Sequence, residues 1–109
     1  MRRSREQTKR VMSKALQAGV KFALGTDLNH GGLCLETKYF VQEIGATPMQ
    51  EIQACTRNGA DCCGILQECG TVEPSKYADI ISLTANTLEN IEHLKDVVMV
   101  VKVGRIIHA

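Results

Sequence analysis

Tryptophan is absent from this sequence, and aromatic side chains are scarce, with two Phe and two Tyr in 109 residues. A core of stacked aromatic rings is excluded, so any core must be built from Val, Ile, Leu, Met and Ala. A strong net charge is also missing: 13 Lys and Arg stand against 12 Asp and Glu, a formal charge of +1. That balance argues against nucleic acid or an anionic membrane as partner. No apolar run reaches the length a membrane-spanning helix needs. No apolar stretch follows the basic start either, so no secretory signal is expected. The C-x-x-C spacing is absent as well. The five cysteines, Cys34, Cys55, Cys62, Cys63 and Cys69, are odd in number, and Cys62 and Cys63 are adjacent. A structural zinc site is not expected from them; they read as reduced, mostly buried thiols of a cytoplasmic protein.

What is present is ordinary globular chemistry, 44% hydrophobic and 23% charged. The length suits one small domain or a piece of a larger one. The basic residues of "MRRSREQTKR" are interrupted by Glu6 and read as a solvated helix face.

The first half looks helical with one strand inside it. Ser4 is followed three residues later by Gln7, a capping-box pattern. Val11, Met12, Ala15 and Leu16 then define one apolar face, and Gly19 is a stop. "VKFAL", residues 20–24, reads as a strand buried on both faces, as in a parallel sheet. It runs into "GTDLNHGG", which places Asp27 at the strand tip. A second helix brings Leu35, Tyr39, Phe40 and Ile44 together. A third starts at Thr47 as N-cap, with Pro48 at N1 and Gln50 at N3. Met49, Ile52, Cys55, Gly59 and Cys62 mark its inner face, and Gly64 ends it. The period then changes. "ADIISLTA" reads as a strand, "TLENIEHL" as a helical turn or two, and "VVMVVKVGRIIHA" as a closing hairpin around Gly104. This order indicates an α/β chain, the end of a barrel or sheet followed by a small β region. In α/β barrels the C-terminal strand ends carry the chemistry, although a strand-end Asp is also a common turn or capping residue.

Several stretches in register raise the stakes for Asp27. "AGVKFALGTD" resembles the last barrel strand of the metal-dependent amidohydrolase superfamily, in its imidazolonepropionase-like and prolidase-like branch. "HGG…LE" is similar to the loop that follows, with Glu36 early in the next helix. "GATPMQEIQACTRNGADCCG" resembles the family helix G-x-T-P-x-E-A-L-x-x-x-T-x-N-A-A-x-x-x-G, matching at Gly45, Thr47, Pro48, Thr56, Asn58, Ala60 and Gly64. "GTVEPSKYADIISL" and "VVMVVKVGRIIHA" are similar to the motif G-x-I-x-x-G-K-x-A-D-I-V-x-L and to the final strand pair. Two departures stand out: Ser75 replaces a glycine whose position wants a permissive backbone, and Val103-Gly104 replaces Asp-Gly or Asn-Gly in the hairpin.

The resemblance implies a C-terminal fragment of a (β/α)8 barrel followed by part of a small β-sandwich domain. Residues 1–68 would be the end of the barrel and residues 69–109 the strands of the sandwich. It implies a hydrolase of C–N bonds using a divalent metal, zinc above all. Asp27 would be both a metal ligand and the catalytic group that takes a proton from the attacking water. His30 would border the substrate. The family's other ligands, an H-x-H pair, two later histidines and often a carboxylated lysine, have no counterpart among His30, His93 and His108. His93 and His108 read as surface residues. A whole barrel takes about 250 residues. The expectation is therefore an isolated chain without activity and without stoichiometric metal. Small amides or dipeptides would be substrates of the complete enzyme, and open strand edges would favour self-association. The alternative is a free-standing, non-catalytic module for self-association or partner binding.

Overall fold

The computed structural model describes residues 2–28 and 32–109. Helix α1 spans Arg2–Gln17 and stops at Gly19, which takes the left-handed φ of +74°. Its start differs from the expectation. The helix already includes Ser4, whose carbonyl accepts a hydrogen bond from the Thr8 hydroxyl, so the Ser4–Gln7 capping box does not form. Strong helix formers at Arg2 and Arg3 carry the helix past that signal. No side chain of α1 is buried. It is fastened along one side, where Ser13 Oγ donates to the Ile44 carbonyl at 2.8 Å and Lys9 pairs with Glu43 at 2.9 Å.

Residues 20–24 do not form the expected strand. A strand exists only by pairing, and among the described residues no neighbour lies alongside to complete a ladder. Burial on both faces fails with it: Val20 is 55% exposed. The segment is instead held by helices, as described below.

Helix α2, Gly32–Tyr39, runs into a π-helical turn, Phe40–Ile44, closed by Gly45 at φ +95°. The wide turn buries Ile44 while Leu35 stays 66% exposed, so the expected apolar group is only partly assembled. Helix α3, Pro48–Cys55, opens as read from the sequence. Thr47 Oγ1 accepts from Gln50 N at 3.2 Å, and Gln50 Oε1 accepts from Thr47 N at 2.8 Å. The expected single helix is broken at Thr56, with φ −112° and ψ −86°, and α4 covers Arg57–Cys62. The Thr56 hydroxyl donates to the Ile52 carbonyl at 2.7 Å, the kind of back-bond that bends helices. The break resets the helical phase. Glu51, Ala54 and Ala60 are the buried residues, whereas Met49 and Cys62 are exposed. Gly64, at φ +73°, ends the unit as expected.

The second half is an antiparallel sheet in the order β1–β2–β3, formed by Ile80–Leu83, Val97–Lys102 and Arg105–His108. Ile80 faces Val101, and Lys102 faces Arg105 across the closing hairpin. Val103 and Gly104, both at positive φ (50° and 74°), make the two-residue turn whose twist matches the strands. Asp79 holds this corner, accepting from Val103 N at 2.8 Å and pairing with Lys102. Those contacts, led by Lys102, keep its carboxyl below the usual range. Ser75 has φ +71°, so the backbone does adopt there the conformation that glycine favours. A 3-10 helix, Ile91–Lys95, joins the halves: Ile91 is buried, and Glu92 pairs with Lys38 of α2 at 2.8 Å. Among the described residues the core is small, consisting of Ile44, Ala46, Ala54, Ala60 and Ile91.

Candidate functional site

Asp27 lies at the free end of the segment that follows α1, and three contacts fasten that segment from behind. Leu24 N–H donates to the Ala54 carbonyl of α3 at 3.2 Å. The Asn58 amide of α4 donates to the Phe22 carbonyl at 2.8 Å. The Phe22 ring stacks on Phe40 of the π-helical turn, with centroids 5.6 Å apart and planes 19° apart. The next turn is set by Thr26, whose hydroxyl oxygen accepts from Leu28 N at 2.9 Å. Asp27 itself takes φ +51°, left-handed and costly for a residue with a Cβ. It is exposed, and among the described residues no hydrogen bond engages its carboxylate. The geometry holds a carboxylate out from a tethered backbone, without a hydrogen-bond partner among the described residues, where it can accept a proton or ligate a cation. His30, the other candidate, lies outside the described residues. His93 pairs with Asp96 at 3.1 Å, and His108 ends β3; neither joins Asp27.

Two further residues of α3 and α4, the helices that hold this segment, carry weight of their own. Asn58 was read only as a motif match, yet it holds the Asp27 segment; the T-x-N spacing was its signal. Glu51 is the second. It is wholly enclosed, with neither carboxylate oxygen hydrogen-bonded among the described residues. Burial pushes its carboxyl up to about 7. Burial, then the Glu51 charge and Cys34, push the nearby Cys55 thiol up to about 12, so this thiol is inert. The signal for Glu51 is its place in the helix motif, where T-P-x-E-A-L has alanine.

The residues were also tested as a metal site. Asp27 fits as one donor, but a catalytic zinc takes about three protein ligands. Among the described residues no three His, Cys, Asp or Glu converge. These residues alone therefore do not make up a metal centre.

Helices packed on a segment that carries an exposed carboxylate, followed by a small antiparallel sheet, define a mixed α/β protein with its candidate chemistry on that segment. Comparison with known proteins narrows this class. The model of the amidohydrolase family matches residues 2–107, and the chain belongs to that family. Ochratoxinase of Aspergillus niger is 39% identical over 80 residues, which cover 72% of this chain and 17% of that protein. Imidazolonepropionase of Fusobacterium nucleatum is 34% identical over 80 residues, covering 69% of this chain and 19% of that protein. The crystal structure of a Xaa-Pro dipeptidase with methionine bound in its active site matches with a TM-score of 0.88 at 34% identity, covering 95% of this chain and 26% of that one. The chain thus falls in the imidazolonepropionase-like and prolidase-like branch, and it spans less than a fifth of the length of these two curated relatives. No helix among the described residues is long and apolar enough to cross a membrane.

Proposed function

We propose that this chain supplies the last-strand aspartate, Asp27, of a metal-dependent hydrolase acting on C–N bonds of small amide or dipeptide-like molecules. Residues 1–68 correspond to the end of the enzyme's (β/α)8 barrel, and residues 69–109 to C-terminal strands of its β-sandwich domain. The observation that carries the reading is an exposed carboxylate, without a hydrogen bond among the described residues, on a segment fastened by Ala54, Asn58 and Phe40. Such tethering suits a group that must meet a reacting centre at fixed geometry. Asp27 would be one ligand of a divalent metal, with zinc first in order, and also the proton acceptor; the remaining donors come from residues beyond these 109. His30 belongs to the same proposal as a neighbour of the substrate. So does a cytoplasmic setting, with its reduced thiols.

Two assays test it. The chain alone, supplied with zinc, should not turn over acyl dipeptides or cyclic amides; turnover abolished by Asp27→Ala would show that it is a complete catalyst. In the complete enzyme, Asp27→Asn should lower turnover by ~10²–10⁴-fold with the melting temperature unchanged. Asn keeps the shape but accepts no proton and ligates divalent metals poorly. Near-normal turnover in that variant would sink the reading.

A second reading, a non-catalytic module that self-associates or binds a partner, is favoured by one observation: the sheet exposes Ile80, Ile81, Val98, Ile106 and Ile107. Sedimentation at micromolar concentration tests the self-association that both readings expect of the isolated chain, and the assays above separate the readings themselves. A monodisperse monomer speaks against self-association.

A further inference from the structure

Glu51 is the largest side chain fully enclosed among the described residues, and both its oxygens lack a partner there. Ionised, it would be a bare charge in apolar surroundings, which costs far more than a lost hydrogen bond. Among the described residues no cation pairs with it. The titratable group coupled to it is a thiol, Cys55 on its own helix, which is in turn coupled to Cys34 of α2. Lys38 of α2 is taken by Glu92. In the π-helical turn Glu43 is taken by Lys9, and in α4 Asp61 is taken by Lys21; Arg57 is exposed. The start of α3 helps little: the Thr47 and Gln50 side chains occupy each other's amides, and Pro48 has no N–H.

The same helix grips the Asp27 segment. Ala54, one turn after Glu51, accepts the Leu24 N–H, and Asn58 holds Phe22 just past the Thr56 break. We propose that Glu51 is a protonated acid in the folded chain and serves as a proton-dependent lock: loss of its proton drives the side chain out of the helical packing and frees the segment that presents Asp27. The consequence for catalysis rests on the reading of Asp27 given above; the lock itself does not. The direction follows from burial, which raises the carboxyl from its ordinary 4.5 to about 7. A group that binds its proton more tightly when folded stabilises the fold fully below 4.5, and that stability is lost as the pH climbs to about 7.

The test uses the full 109-residue chain without metal or substrate. Amide-exchange protection at Leu24 and urea unfolding are followed from pH 5 to pH 8. The wild-type unfolding equilibrium should shift toward the unfolded state by ~10²-fold over that range, and Leu24 protection should fall with it. Glu51→Gln and Glu51→Met cannot ionise, so both should flatten the dependence, and the Met chain should be the more stable one at pH 8. A slope that survives in both variants, a flat wild type, or no protected amides at pH 5 overturns the lock. So does a carbon-13 titration that places the Glu51 carboxyl near its ordinary value. Asp27→Asn should keep the wild-type slope, so a failed lock and a failed metal reading show up in different measurements.

Discussion

Between Gly32 and Cys62 the helices and their connections enclose Thr37, Ile44, Ala46, Glu51, Ala54 and Ala60; between Ile80 and His108 no strand residue is buried. The two halves hold together differently. The helical half relies on close side-chain packing, including small residues that let backbones approach. The sheet relies on its backbone ladder and on the Asp79 clasp around the Val103-Gly104 turn. Equal substitutions should therefore cost unequal amounts in the two regions, because packing punishes added volume and an open sheet does not.

The sharpest contrast pairs two left-handed glycines. A Cβ on Gly70 (φ +92°) would sit 2.5 Å from Ala60 Cβ and 3.2 Å from the Thr56 carbonyl; one on Gly104 (φ +74°) would meet nothing within 4 Å. Gly70→Ala should cost about 3 kcal/mol, overpacking added to backbone strain. Gly104→Ala should cost only the strain, about 1 kcal/mol. Urea unfolding of both variants checks the difference, and equal losses would break the contrast. Thr47→Ala should cost about 1 kcal/mol by removing the α3 cap, with loss of amide protection at Gln50 as its local signature. The smallest effect is a gain. Ser75→Gly should stabilise the chain by about 0.5 kcal/mol, because φ +71° suits glycine, offset in part by the flexibility glycine adds to the unfolded chain. A melting temperature that falls in this variant would mean that the Ser75 side chain contributes more than its backbone strain removes.

The features legible from sequence were the local ones. The Thr47, Pro48 and Gln50 start, the stops at Gly19 and Gly64, and the Val103-Gly104 turn each depend on a few adjacent residues, and each formed as read. Two local signals failed, the Ser4–Gln7 capping box and the continuity of the helix at Thr56; the other failures depend on distant partners. Residues 20–24 have strand composition, but a ladder needs a neighbour. The break at Thr56 turns on one hydroxyl choosing the Ile52 carbonyl. The enclosure of Glu51 is set by what folds over it, and a glutamate in the first turn of a helix reads as exposed. For the candidate site, the position of Asp27 was legible in "GTD", but the Asn58 and Phe40 contacts behind it were not, since each joins residues far apart in the chain.

The sheet ends in two unlike edges, Ile80–Leu83 on one side and Arg105–His108 on the other, with β2 between them. That asymmetry sets the stoichiometry of any edge-to-edge contact between copies. Pairing like with like uses one kind of edge alone and closes as a two-fold dimer, with the other kind left outside on both copies. Pairing β1 of one copy with β3 of the next leaves one edge of each kind free at the ends, so every addition recreates the site for another. With similar hydrogen bonds per contact, the first arrangement is finite and the second is a filament whose length is set by concentration.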